Sequence, residues 1–312
     1  MKILVALGGN AILRSGGIGT AAGQEETLDS TSKRLVEVVR AGHEIALTHG
    51  NGPQVGDILL AYDSAKSALS PMPLDVCGAQ SQGMIGYMLQ QSLENELKSV
   101  GIKKSVATVL TQTVVDASDQ AFDNPTKPIG QFYNQTEVKG LERRKGWSMI
   151  NDSNRGFRRV VPSPNPISIL EGEIIKALFD HGVIVIAAGG GGVPVVWDAG
   201  SGRYVGIEAV IDKDLSAALL ANLLTVDLLM ILTDVDGVFL NYGKPSQRFV
   251  GELSVEEARK YLAEGQFATG SMGPKVEAAA RFIESGGKRA VIGPLESIEA
   301  TLAGAAGTNL YQ

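Results

Sequence analysis

Three lysines stand where a lysine is awkward. Lys213 and Lys275 fall in the first turns of two predicted helices, in "EAVIDKDLSAALLANLL" and "GSMGPKVEAAARFIESGG". A positive charge there opposes the helix dipole. Both positions make sense if an anion sits between the two helix ends; two exposed lysines with no role are the bland alternative. Asp214 either caps its helix or holds both ammonium groups in place. Lys127 lies between Pro125 and Pro128 in "NPTKPIGQFY", so a stiff backbone presents its side chain at a fixed place.

Three glycine clusters follow predicted strands: "GGN" at 8–10, "HGNGP" at 49–53 and "GGGG" at 189–192. In a parallel sheet the carboxyl ends of the strands share one edge, where ligands bind. Bare amides at Gly8, Gly9, Asn10, Gly50, Asn51, Gly52, Gly190 and Gly191 would form an anion nest there, and tight strand exits are the alternative. Other phosphate fingerprints fail. There is no G-x-x-x-x-G-K-[ST]. "GNGPQVG" approaches G-x-G-x-x-G but lacks the acidic residue expected about 20 positions on.

Elsewhere the chemistry is sparse. Asp234 and Asp236 in "LLMILTDVDGVF" could ligate Mg²⁺, but a D-G turn is the preferred reading. His43, His49 and His181 are too scattered for a zinc site, and His181 reads as a helix C-cap. No nucleophilic serine or cysteine motif occurs.

These residues need a scaffold, and the pattern supplies one. Short β-branched runs alternate with helical spacing, which predicts an α/β fold with a largely parallel sheet. Strands are expected at 2–7, 44–48, 105–115, 183–188, 228–232 and 290–293. A helix carries Leu28, Leu35, Val36 and Val39 and stops at Gly42. Pro53 can open the next helix. A long helix places Met84, Ile85, Met88, Leu89, Leu93 and Leu97 on one side. "AVIDKD" reads as a strand turning into a helix. Residues 116–166 break the rhythm and read as an excursion from the sheet, with "WSMINDSNRGFRRVV" as two strands around a turn. The seven basic residues between Lys139 and Arg159 read as a solvated face.

Composition narrows the partners. The 312 residues are 44% hydrophobic, with a net charge of −6, which argues against nucleic acid and membrane surfaces. One cysteine, Cys77, excludes an internal disulfide framework and fits a reducing compartment. The start is too short in apolar residues for a signal peptide, and Asp227 interrupts the most apolar stretch. The expected location is the cytoplasm.

Taken in order, "ALGGNAI", "THGNGPQVG", "NPTKPIGQFY", "VPSPNP", "AAGGGGVPV", "EAVIDKD", "ILTDVDGV" and "GSMGPKVEAA" span nearly the whole chain and resemble the carbamate kinases of the amino acid kinase family. The resemblance implies an open three-layer α/β/α sandwich, one domain over 1–312, with a small protruding subdomain at about 116–166. It implies the reaction ATP + carbamate ⇌ ADP + carbamoyl phosphate, with Mg²⁺ carried on the nucleotide phosphates and water, in a homodimer. By motif, Gly8–Asn10 and Gly50–Gly52 would hold carbamate and the transferring phosphoryl group, and Lys127 would close over them. Lys213 and Lys275 would neutralise phosphate charge, with Asp214 organising both. Gly190, Gly191, Thr233, Asp234, Val238, Tyr242, Met272 and Pro274 would serve the nucleotide, whose site would occupy mainly 205–312.

The residues themselves agree with phosphoryl transfer without naming carbamate. Hydroxyl kinases need a base for the acceptor's proton; a carbamate oxygen is already anionic. The obstacle is two anions that repel, which lysines and amides resolve. A kinase for a larger acceptor would need additional carboxylate or base contacts. A nucleotide-sensing protein without catalysis should have lost some of Lys127, Lys213, Asp214 and Lys275. The resemblance to carbamate kinases implies ATP synthesis in arginine breakdown as the direction.

Overall fold

The computed structural model describes residues 1–13, 20–65, 67–68, 70–151, 156–268 and 270–312. Its central sheet holds β1 (Lys2–Leu7), β2 (Glu44–His49), β3 (Val106–Thr108), β9 (Ile184–Ile186), β12 (Leu228–Thr233), β15 (Glu252–Ser254), β16 (Arg289–Pro294) and β17 (Thr308–Tyr311). The order is β15-β17-β16-β12-β1-β2-β9-β3, parallel from β16 to β3, with β17 antiparallel to β16.

The apolar run "KILVAL" is continuous because both faces of this sheet are covered. Leu4 and Ala6 pack with α5 (Gly172–Asp180), α6 (Lys213–Leu223), α7 (Val255–Ala263) and α8 (Met272–Glu284). Ile3, Val5 and Leu7 point the other way, onto α1 (Ala21–Arg40), α3 (Leu74–Ser99) and α9 (Ile298–Leu302). The result is the expected α/β/α sandwich. Among the described residues no helix is long and apolar enough to cross a membrane.

Smaller sheets sit outside these layers. β4 (Gln112–Val114), β8 (Ser168–Ile169), β10 (Val193–Asp198) and β11 (Arg203–Gly206) form one, in the order β11-β10-β4-β8. β13 (Val238–Leu240) and β14 (Arg248–Val250) form a hairpin. The third is antiparallel β5 (Lys127–Tyr133), β7 (Phe157–Val161) and β6 (Ser148–Asn151), with α4 (Gln135–Lys145) between β5 and β6. The turn expected between β6 and β7 lies outside the described residues at 152–155.

Three expectations need correction. The single strand expected over 105–115 is two, β3 and β4, which belong to different sheets. A continuous β-branched run does not reveal where a chain changes sheet. Met84 is 36% exposed, while Ile85, Met88, Leu89, Leu93 and Leu97 are buried, so the apolar stripe of α3 is narrower than drawn. Residues 209–212 are not a strand; the chain reaches α6 outside any sheet.

A lysine-aspartate site at the sheet edge

The strand exits of β1 and β2 open onto one cavity of 370 Å³, within the range of small-ligand sites. Gly8, Gly9, Asn10, Gly50, Asn51, Gly52, Gly190, Lys127, Lys213, Asp214, Thr233, Asp234 and Lys275 all line it. Residues 267 positions apart in the chain thus meet at the carboxyl edge of the sheet. Gly191, Val238, Tyr242, Met272 and Pro274 do not line it. Val238 is fully buried and Tyr242 is 67% exposed beyond the end of β13, edge-on to Phe239. Met272 packs against the core, and Pro274 lies in the first turn of α8.

Asp212, Lys213 and Asp214 divide three tasks. Asp212, not Asp214, caps α6: its Oδ1 accepts the amides of Asp214 at 2.9 Å and Leu215 at 3.4 Å. Its Oδ2 accepts Lys127 Nζ at 2.5 Å. Asp214 is 3% exposed; one of its oxygens accepts Lys213 Nζ, and the other accepts Lys275 Nζ at 2.9 Å. Three ammonium groups are therefore held by two carboxylates, one positive charge in excess within the cluster, while Asp234 adds a negative charge on the cavity wall. Sequence reasoning passed over Asp212, although an aspartate immediately before a helix is itself a cap signal.

Burial sets the protonation of this cluster. It pushes Lys213 down to about 8, with Lys275 adding repulsion and Asp214 opposing both. Burial alone would raise the Asp214 carboxyl, yet the two ammonium groups hold it far below the usual carboxylate range. Lys275 is buried as well, but Asp214 keeps it above the ordinary lysine value. His49 ends β2, donates from Nδ1 to the Gly50 carbonyl at 2.9 Å, and is pushed by burial to about 4, so it is neutral near pH 7.

Lys127 is positioned from outside the main sheet. Ile129 of β5 and Val161 of β7 join Val55, Leu74, Cys77 and Val210 in a small core. This core docks β5 on α2 (Gly52–Ser64). A Cβ on Gly56 would stand 1.9 Å from the Gly130 Cα, so helix and strand touch backbone to backbone. That contact joins the Gly50–Gly52 loop to the strand that carries Lys127.

The four consecutive glycines have a different explanation from the one their sequence suggests. A Cβ at Gly189 would strike His49, at Gly190 Asn51, at Gly191 the Ile211 carbonyl at 2.6 Å, and at Gly192 Thr113. The protein's own groups fill these places. The Gly191 carbonyl accepts from Thr113 and Ser216, away from the cavity. Gly9 is the opposite case, with nothing within 4 Å of its missing Cβ.

The two substitutions should therefore separate. Gly191→Ala, strained by a φ of +95° and by overlap, should cost more than about 2 kcal/mol of stability. Gly9→Ala should unfold like the wild type in calorimetry but bind ligand more weakly. Equal stability losses would contradict this division.

The amino acid kinase family profile matches residues 1–294. The chain is 50% identical over 311 residues to the carbamate kinase of Pyrococcus furiosus, covering 99% of this chain and 98% of that one. It is 49% identical over 316 residues to the carbamate kinase of Clostridium perfringens, covering all of both. A solved carbamate kinase from Giardia lamblia bound to citric acid superposes with a TM-score of 0.94 at 41% identity, over 99% of this chain and 98% of that one. The chain belongs to the amino acid kinase family, whose chemistry is phosphoryl transfer. Within that family it stands with the carbamate kinases.

Proposed function

We propose that this protein catalyses ATP + carbamate ⇌ ADP + carbamoyl phosphate, working toward ATP in arginine breakdown. The observation that carries this is the buried Lys213–Asp214–Lys275 triad, beside Lys127, on a glycine-lined cavity. Such a site brings fixed ammonium groups to phosphoryl charge, and its central carboxylate, held far below the usual range by Lys213 and Lys275, is not poised as a base. Gly8–Asn10 and Gly50–Gly52 would hold the carbamate and phosphoryl end. Thr233 and Asp234 would face the nucleotide, whose base would extend over the 205–312 half toward Tyr242 and Met272. A relative from Giardia lamblia has been solved with AMP-PNP, which supports ATP and ADP as ligands.

Among the described residues, no three His, Cys, Asp or Glu side chains gather to hold a metal. Asp234, whose Oδ2 accepts from Asn10 at 2.8 Å, is a hard oxygen donor on the cavity wall. This fits Mg²⁺ arriving on nucleotide phosphates, with Asp234 reaching it directly or through water. The ion would supply charge neutralisation of the β- and γ-phosphoryl oxygens. We read the β5–β7–β6 sheet with α4 as a subdomain of one 1–312 domain, and the working form as a cytoplasmic homodimer.

The test is ATP formation from ADP and carbamoyl phosphate, with acetyl phosphate as the competing donor. Carbamoyl phosphate should be preferred by orders of magnitude; equal use of both donors would contradict the reading.

A pH dependence follows from Lys213. In the free protein its charge is lost as pH rises through about 8, and the charged form is the one that attracts phosphate. Hence kcat/KM should be level below about pH 7 and fall above 8, because it reports the free enzyme. Bound phosphate keeps Lys213 charged, so kcat should stay level over that range. Lys213→Arg should remove the fall in kcat/KM; its persistence would assign the limb elsewhere.

A further inference from the structure

We infer that Asp212 is a positioning residue whose fixed carboxylate sets where Lys127 meets the transferring phosphoryl group, an assignment that rests on the reaction proposed above. Its Oδ1 is held by the α6 amides of Asp214 at 2.9 Å and Leu215 at 3.4 Å. Its Oδ2 accepts Lys127 Nζ at 2.5 Å. The cap fixes the plane of the carboxylate, so Oδ2 has a set place on the cavity that Asp212 and Lys127 both line. Burial works to raise the Asp212 carboxyl, but the Lys127 ammonium holds it below the usual carboxylate range. It is a charged anchor near pH 7.

Lys127 needs such an anchor more than its neighbours do. Lys213 and Lys275 stand in the first turns of α6 and α8 and share Asp214. Lys127 instead starts β5, in a sheet outside the central one. The packing of β5 on α2 places its backbone, while a flexible four-carbon stem separates that backbone from the ammonium. Asp212 ties the ammonium to the residue immediately before Lys213, so the three cations keep one arrangement. A count of charges alone gives the opposite expectation. A carboxylate on the cavity wall repels phosphate, and removing it should tighten binding. Positioning and charge count therefore predict effects of opposite sign.

The experiment measures kcat and KM for carbamoyl phosphate at saturating ADP, with calorimetry on the same samples. The proteins are wild type, Asp212→Asn, Asp212→Ser, Lys127→Ala, and Lys127→Ala combined with each Asp212 substitution. Asn and Ser cap helices about as well as Asp, but neither holds an ammonium by charge. Each Asp212 substitution alone should lower kcat/KM about 10–100-fold, the scale of a group displaced by about 1 Å. In the Lys127→Ala background the same substitutions should cost less than about twofold, because the residue they act through is gone. Equal losses in both backgrounds overturn the inference, and so does unchanged or improved kcat/KM in the single variants. A role confined to the cap would lower thermal stability with normal turnover per folded molecule, which overturns it as well. Should one Asp212 variant fail to fold, the other decides alone by the same comparison. A wild type that makes no ATP from carbamoyl phosphate removes the proposed reaction and this inference with it. An active wild type whose Asp212 variants lose equally in both backgrounds removes only the inference.

Discussion

Asp214→Asn is expected to lower stability by about 3–5 kcal/mol near pH 7, the scale for breaking a buried ion pair, and kcat by about 10²–10³. The substitution keeps the shape but leaves Lys213 and Lys275 as two buried ammonium groups with no charge between them. A carboxyl whose pKa is depressed on folding contributes stability that is complete above its unfolded value, near 4, and fades as pH falls through the folded one. Chemical denaturation at pH values from 7 down to about 2.5 should show the wild-type advantage holding to about pH 4 and shrinking below it. A gap that widens on acidification would contradict the ion-pair account.

The second large effect falls on the lysines. Lys127→Ala, Lys213→Ala and Lys275→Ala should each reduce kcat by about 10²–10³, as when one preorganised donor to a developing charge is removed. The three need not be equally costly to the fold. Lys127→Ala leaves Asp212 still capping α6 through Oδ1. Lys213→Ala leaves Asp214 still paired with Lys275. Turnover per folded molecule, with calorimetry on the same samples, separates the roles. Near-normal turnover combined with lost stability would make these lysines structural.

Much of this site could be read before any coordinates. Helix-opening lysines on separate elements point to an anion because nothing local explains them, and Lys213 and Lys275 do meet on Asp214. The continuous burial along "KILVAL" follows from a strand covered on both faces. What sequence could not show is which neighbour fills the space beside a glycine. The run at 189–192 suggested a ligand; Gly190 does line the cavity, but His49, Asn51, Ile211 and Thr113 fill the places where side chains would stand. Likewise Asp212 carries a recognisable cap signal, but its second oxygen meets Lys127 only because β5 docks on α2 through Gly56 and Gly130. Tyr242 and Val238 sit in the right motif, but local geometry sends one outward and the other inward. Contacts between elements distant in sequence leave no mark on either alone.

The central claim is that the lysine-aspartate cluster transfers phosphoryl charge with no proton abstracted from the acceptor. The most direct measurement is kcat against pH from about 6.5 to 9 for wild type and Asp214→Asn, run from saturating carbamoyl phosphate and ADP. Microscopic reversibility makes this direction informative, since a base one way is an acid the other. A wild-type kcat level across that range is predicted, with Asp214→Asn far slower but lacking no limb that the wild type shows. An acidic or basic limb present in the wild type and missing from Asp214→Asn would make Asp214 a proton-transfer group and contradict the account.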